Sequence, residues 1–324
     1  MAAVSEPLVR EVSEDALLAR IVPLLPRGRA TLLPSGDDAA VVAAPDGRFV
    51  VTTDVLVEGR HFRRAWSTGR DVGRRAAVQN LADVAAMGAV PTALVVALGV
   101  PGELPVAWLE DLARGLADEC GPLGVGVVGG DLSGGSEVTV AVTALGDLEG
   151  RAPVTRSGAR PGDVLAHAGV RGRSAAGLAL LAADLEPLDD ELVAAYRHPT
   201  SPVAAGPVAA AAGATAMIDV SDGLLRDAGR LATASHVVLD LAADAFAADL
   251  RRLATAAEAL EVDPATWVLG GGEDHGLLAT FPSTGAVPPP FVVVGRVRAA
   301  DGAPRVLVAG AVPGVRPGWD HFAG

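Results

Sequence analysis

Lysine is absent: all 26 basic residues of the 324-residue chain are arginine. A phosphate-binding loop ending in Gly-Lys-Ser/Thr needs that amine, as do the strand lysine of a protein kinase and the Schiff base of a pyridoxal enzyme. All three classes are excluded. Cysteine is nearly absent as well. Cys120 stands alone, so neither an intrachain disulfide framework nor a cysteine-built zinc site can form. Aromatic residues make up 3% of the chain against 50% hydrophobic residues, so the core is built from Ala, Val and Leu, which suits close-packed α/β layers. Positive charge is short: the formal net charge of −13 argues against a nucleic-acid footprint. Long apolar runs are also missing. The longest weakly polar one, Pro202 to Ile218, is broken by Pro207 and Gly213, and the first twenty residues hold no signal-peptide core. A soluble cytoplasmic protein is expected.

What is present reads as alternating helices and strands, giving an α/β (α+β) class. "GRFVVTTDVLVEG" reads as a strand between Gly47 and Gly59, and "GRDVGRRAAVQNLADVAAMG" as a helix ending at Gly88. "VGVVGGDLSGG" reads as a strand running into a glycine-rich loop, and "ATAMIDV" as a strand followed by the helix "LLRDAGRLATAS". The length suggests two domains. The Pro, Gly and charge of "GRAPVTRSGARPGD" mark a boundary between Asp147 and Thr155, giving domains 1–147 and 148–324.

Six aspartates stand out. Asp38 follows a turn, Asp54 and Asp131 read as strand ends, Asp83 lies one helical turn after Asn80, and Asp219 and Asp222 follow "AMI". Taken singly, each also reads as a turn residue or a helix cap, Asp38 as a turn and Asp222 as a cap on the helix that follows. Together they need cations: two carboxylates about 4 Å apart repel by roughly 4 kcal/mol at an effective dielectric of about 20. Hard divalent ions remove that cost, and Mg²⁺ is commonly shared between carboxylates and substrate phosphates. The glycines of "VGGDLSGG" and "GGGED" would let backbone N–H groups approach a polyphosphate. Arg156 could reach a phosphate. The sum is a nucleotide-triphosphate site made without a phosphate-binding loop.

The motifs "SGDDAAVV", "TTDVLVEGRHF", "NLADVAAMGA", "GGDLSGG", "TRSGARPGD", "IDVSDGLLRD", "GGGEDHGLL" and "WDHF", in this order, resemble those of the thiamine-monophosphate kinases. The resemblance implies the two-domain aminoimidazole-ribonucleotide-synthetase-like fold, a homodimer formed through the N-terminal domain, and phosphorylation of thiamine monophosphate to thiamine diphosphate by ATP with Mg²⁺. It further implies that Asp38, Thr52, Thr53, Asp54, Asp83, Asp131, Asp219 and Asp222 ligate magnesium. Gly130, Asp131, Arg156 and Ser221 then contact ATP, and His61, Glu273 and Trp319 contact thiamine phosphate. His275 stands where the family often has Tyr, which puts stacking at that position in question.

No residue is marked as a nucleophile by an adjacent base, so direct in-line transfer without a phosphoenzyme is expected. Among sister enzymes, selenophosphate synthetase would want an N-terminal Cys or selenocysteine and a Lys, and the hydrogenase-maturation relative a C-terminal Cys. Aminoimidazole-ribonucleotide synthetase, a metal-dependent phosphatase and a non-catalytic nucleotide-binding module remain as alternatives.

Overall fold

The computed structural model describes residues 6–35, 39–282 and 287–319. Two units divide the chain, Met1–Val84 with Pro91–Glu149, and Ala85–Val90 with Gly150–Gly324. In the first unit Ser13 caps helix α1 (Glu14–Ile21) by accepting the Ala16 N–H. Strands β1 (Thr31–Leu33) and β2 (Val41–Val42) form a small antiparallel pair. Strand β3 (Val50–Val57), helix α2 (Gly69–Ala86), strand β4 (Val90–Val100), helix α3 (Val106–Leu123), and strands β5 (Gly126–Gly134) and β6 (Thr139–Asp147) follow. The four long strands lie in the order β3-β6-β4-β5. β4 and β5 are parallel, and α3 supplies the crossover that a parallel pair requires. On β6, Val140, Val142 and Ala144 are buried, while Ala141, Thr143 and Leu145 on the other face are only half-buried. The sheet is therefore covered on one side only. Helices α2 and α3 approach closely through glycine: a Cβ on Gly73 would run into the Leu112 carbonyl, and one on Gly115 into that of Arg70.

Two sequence expectations are corrected here. Asp54 and Asp131 do not end strands. Asp54 pairs in register with Val142 in mid-β3, and Asp131 with Ala97 inside β5. The glycine-rich "GGDLSGG" likewise continues β5 instead of forming a loop. The reason lies in the strand order: β3 and β5 are the two edges of the sheet, where a charged or glycine-rich strand is tolerated.

The second unit runs β7 (Val164–Ala168), α4 (Arg173–Ala182), α5 (Asp190–Arg197), α6 (Ala205–Ala211), β8 (Ala216–Val220), α7 (Leu224–Ser235), β9 (Val237–Leu241), α8 (Ala247–Ala259), α9 (Pro264–Gly270), β10 (Gly276–Phe281), β11 (Val292–Ala299) and β12 (Arg305–Val308). The six strands lie in the order β12-β9-β11-β7-β10-β8, antiparallel except for β12 with β9. Every residue of β8, β9 and β10 is buried, as expected of strands enclosed on both faces. Among the described residues no helix is long and apolar enough to cross a membrane.

Candidate functional site

Strand alternation sorts the acidic stretch of the first unit. Thr52 and Asp54 share the β3 face that looks onto α2, and Thr53 takes the opposite face. The Thr52 hydroxyl donates to Asp83 Oδ2 of α2 at 2.7 Å. One turn earlier on the same helix, the fully buried Asn80 accepts the Asp54 N–H at 3.1 Å and donates to the Ala76 carbonyl at 2.9 Å. Asn80 thus ties β3 to α2. The Thr53 hydroxyl donates to the Val142 carbonyl at 2.9 Å. At the far edge of the sheet the Ser133 hydroxyl donates to Asp131 at 2.8 Å. A Cβ on Gly130 would run into the Val96 carbonyl, so glycine is required there by strand packing alone. His61 Nδ1 accepts the Val57 N–H at 2.9 Å, which assigns the proton of the neutral ring to Nε2. Asp38 lies outside the described residues. Among the described residues no three His, Cys, Asp or Glu side chains gather closely enough to hold an ion.

In the second unit three loops meet. Asp219 is buried in β8 opposite Leu277 of β10, and the chain then turns through Ser221, Asp222 and Gly223 into α7. The Ser221 carbonyl accepts the Glu273 N–H at 2.7 Å, and the Asp222 carbonyl accepts the Trp319 N–H at 2.9 Å. The Arg226 N–H donates to the Pro317 carbonyl at 3.0 Å. Glycines permit this backbone-to-backbone approach: a Cβ on Gly272 would press on the Ser221 carbonyl, and one on Gly318, with φ of 156°, would run into that of Asp222. Ser221, assigned by resemblance to ATP, Asp222, assigned to magnesium, and Glu273 and Trp319, assigned to thiamine phosphate, therefore share one junction. Trp319 is 58% exposed and is not a core residue. Asp222 does not cap α7, whose first turn has no side-chain cap; its carboxylate lies 2.7 Å from Arg230 and 3.8 Å from Arg226. His275, buried and at φ 49°, lies 3.6 Å from Glu273 and is no stacking platform. The Arg156 guanidinium is exposed, while its carbonyl accepts the Ser235 hydroxyl at 2.7 Å.

Two buried carboxylates escaped the sequence reading. Asp227 accepts the N–H groups of Ser221 and Asp222 at 3.1 and 2.9 Å and pairs with Arg230 at 2.6 Å. Asp274 accepts those of Gly172 and Ser174 at 2.5 and 2.9 Å, at the start of α4. Burial pushes each carboxyl up to about 6. A signal for Asp227 existed. It sits among Leu224, Leu225, Ala228 and Leu231 on the buried face of an amphipathic helix, where an acid needs a partner.

Residues 36–148 match the family described as AIR synthase related protein, N-terminal domain. The chain is 50% identical over 324 residues to the thiamine-monophosphate kinase of Mycobacterium tuberculosis, covering 99% of this chain and 95% of that one. It is 42% identical over 299 residues to the thiamine-monophosphate kinase of Corynebacterium glutamicum, covering 89% and 88%. A solved structure described as AaThiL complexed with AMPPCP and TMP superposes with a TM-score of 0.77 at 30% identity, over 99% of this chain and 100% of that one. Ordered motifs, fold and full-length identity agree, and the chain belongs to the thiamine-monophosphate kinase family.

Proposed function

We infer that the protein transfers the γ-phosphoryl group of ATP to the phosphate of thiamine monophosphate, giving ADP and thiamine diphosphate. The observation that carries this is the three-loop junction, which hydrogen-bonds Ser221, expected at ATP, and Asp222, expected at magnesium, to Glu273 and Trp319, expected at the thiamine. Relatives named for this reaction, and a neighbour holding the ATP analogue AMPPCP together with TMP, support the reading. The acceptor oxygen of a phosphate monoester is already anionic, so the chain needs no general base, and its work is positioning and charge. The exposed Arg156 suits a phosphate. The neutral His61 ring, with Nδ1 accepting the Val57 N–H, carries its donor at Nε2 and suits the acceptor phosphate. The indole face of Trp319 and the carboxylate of Glu273 suit the cationic thiazolium.

Thr52, Asp54, Asp83, Asp131, Asp219 and Asp222 offer hard oxygen ligands only, which fits Mg²⁺. When bound, the ion neutralises triphosphate charge. Asp54 and Asp131 lie on opposite edge strands, three strand spacings or about 14 Å apart, too far to share one ion within a chain. A second copy supplies the missing edge, and we take the active protein to be a cytoplasmic homodimer. Its contact is the uncovered sheet face, where Phe49, Val51, Val55 and Val95 are exposed and the outward side chains of β3 carry no charge. Purified protein given Mg²⁺, ATP and thiamine monophosphate should form ADP and thiamine diphosphate in equal amounts. ADP formed equally well without the acceptor would favour a phosphatase-like activity, and no ADP a binding module.

A further inference from the structure

The loop that joins β8 to α7 is short, yet three successive peptide planes in it are fixed from outside. A peptide unit is planar, so the N–H of one residue and the carbonyl of the residue before it turn together. The plane between Val220 and Ser221 is held by the Ser221 N–H on Asp227. The next plane is pinned at both ends, by the Asp222 N–H on Asp227 and by the Ser221 carbonyl on the Glu273 N–H. The third is held by the Asp222 carbonyl on the Trp319 N–H. Arg230 closes the arrangement, 2.6 Å from Asp227 and 2.7 Å from the Asp222 carboxylate. Asp227 itself is fully buried.

We propose that Asp227 is a positioning residue that sets the three-loop junction as one body, so that Ser221 at the nucleotide, Asp222 at the magnesium, and Glu273 and Trp319 at the thiamine are placed, or misplaced, together. Without its carboxylate the central plane is free to rotate. The Ser221 carbonyl then turns away from Glu273, whose left-handed backbone, φ 70°, loses the bond that holds it. Damage at a residue that touches neither substrate reaches both.

The proposal rests on the kinase reading, and wild-type turnover is the control that separates the two. A wild-type protein that makes no thiamine diphosphate overturns the kinase reading. In Asp227→Asn a single amide must face both the two N–H groups and Arg230, and its NH₂ opposes donors on one side. That variant should raise KM for ATP and for thiamine monophosphate together, each by about tenfold, with a smaller loss in kcat. Adding Arg230→Gln gives the asparagine NH₂ an acceptor, and the double variant should return both KM values to within about threefold of wild type. A residue that only stabilised the fold would lower the amount of active enzyme and leave both KM values alone, and that result overturns the proposal. Hydrogen exchange on the wild-type protein decides the matter if Asp227→Asn does not fold. Thiamine monophosphate alone should slow exchange at 221–223, and AMPPCP alone should slow it at 273 and 319. Protection confined to each ligand's own loop overturns the proposal.

Discussion

At the scale of single residues, the site separates contacts made by side chains from contacts made by backbone. Trp319 joins the junction through its N–H, while its indole is exposed, so Trp319→Ala removes the ring and leaves the loop bonded. Loss of a face for the thiazolium should raise KM for thiamine monophosphate by about 5- to 30-fold, the equivalent of about 1–2 kcal/mol, with KM for ATP nearly unchanged. Steady-state kinetics with each substrate varied in turn checks this, and equal shifts remove the stacking role. Asp274 makes a different kind of contribution. Burial holds its carboxyl at about 6 against an ordinary 3.8. Between those values the unfolded chain has released a proton that the folded chain retains, so this group's stabilisation is complete below 3.8 and is lost as pH rises through about 6. The loss amounts to about 3 kcal/mol at most. Denaturant unfolding at about pH 4 and about pH 7 should show a smaller difference for Asp274→Asn than for wild type. The aspartates of the motifs could be singled out in the sequence because each stands within a short local pattern. Asp274 was not, because its partners, Gly172 and Ser174, lie about a hundred residues away and are backbone N–H groups that no residue type announces.

At the scale of elements, glycine carries two opposite meanings that only packing separates. Gly73 of α2 faces the Leu112 carbonyl of α3, and a backbone carbonyl cannot rotate out of the way. Gly73→Ala forces the two helices apart, at a cost of about 1–3 kcal/mol that outweighs alanine's helix preference. Gly229 lies in the interior of α7 with nothing near the place its Cβ would occupy, so Gly229→Ala should stabilise by about 0.5–1 kcal/mol. Urea midpoints of the two variants should move in opposite directions. The first displacement also moves Asn80 and Asp83, through which α2 is hydrogen-bonded to β3. Periodicity made most long elements legible, β3, α2, β8 and α7 among them. It missed α6 and α9, each seven residues long, although Asp263 as cap and Pro264 in the first turn of α9 were visible cues. It misjudged how far β5 extends because an edge strand tolerates glycine and charge that a central strand would not.

At the scale of the whole molecule, the strand order turns the proposed magnesium ligands into a question about copies. A single chain holds Asp54 and Asp131 on the two outer strands of one sheet, and its uncovered face is apolar. If each site takes Asp54 from one copy and Asp131 from the other, Asp54→Asn and Asp131→Asn should each abolish turnover alone. A dimer with one variant in each copy then has one intact site and one doubly damaged site. Random pairing makes half the dimers mixed, so co-expression of the two variants should restore about a quarter of wild-type kcat. If instead both aspartates serve a site within one copy, every site in a mixed dimer carries one lesion and nothing returns. The two arrangements therefore differ by the presence or absence of activity in a tandem-tagged, mixed dimer, and a wild-type protein that sediments as a monomer removes the shared site altogether. Sequence motifs could name both aspartates but not this division, since the distance between them is set by the order in which distant strands pair.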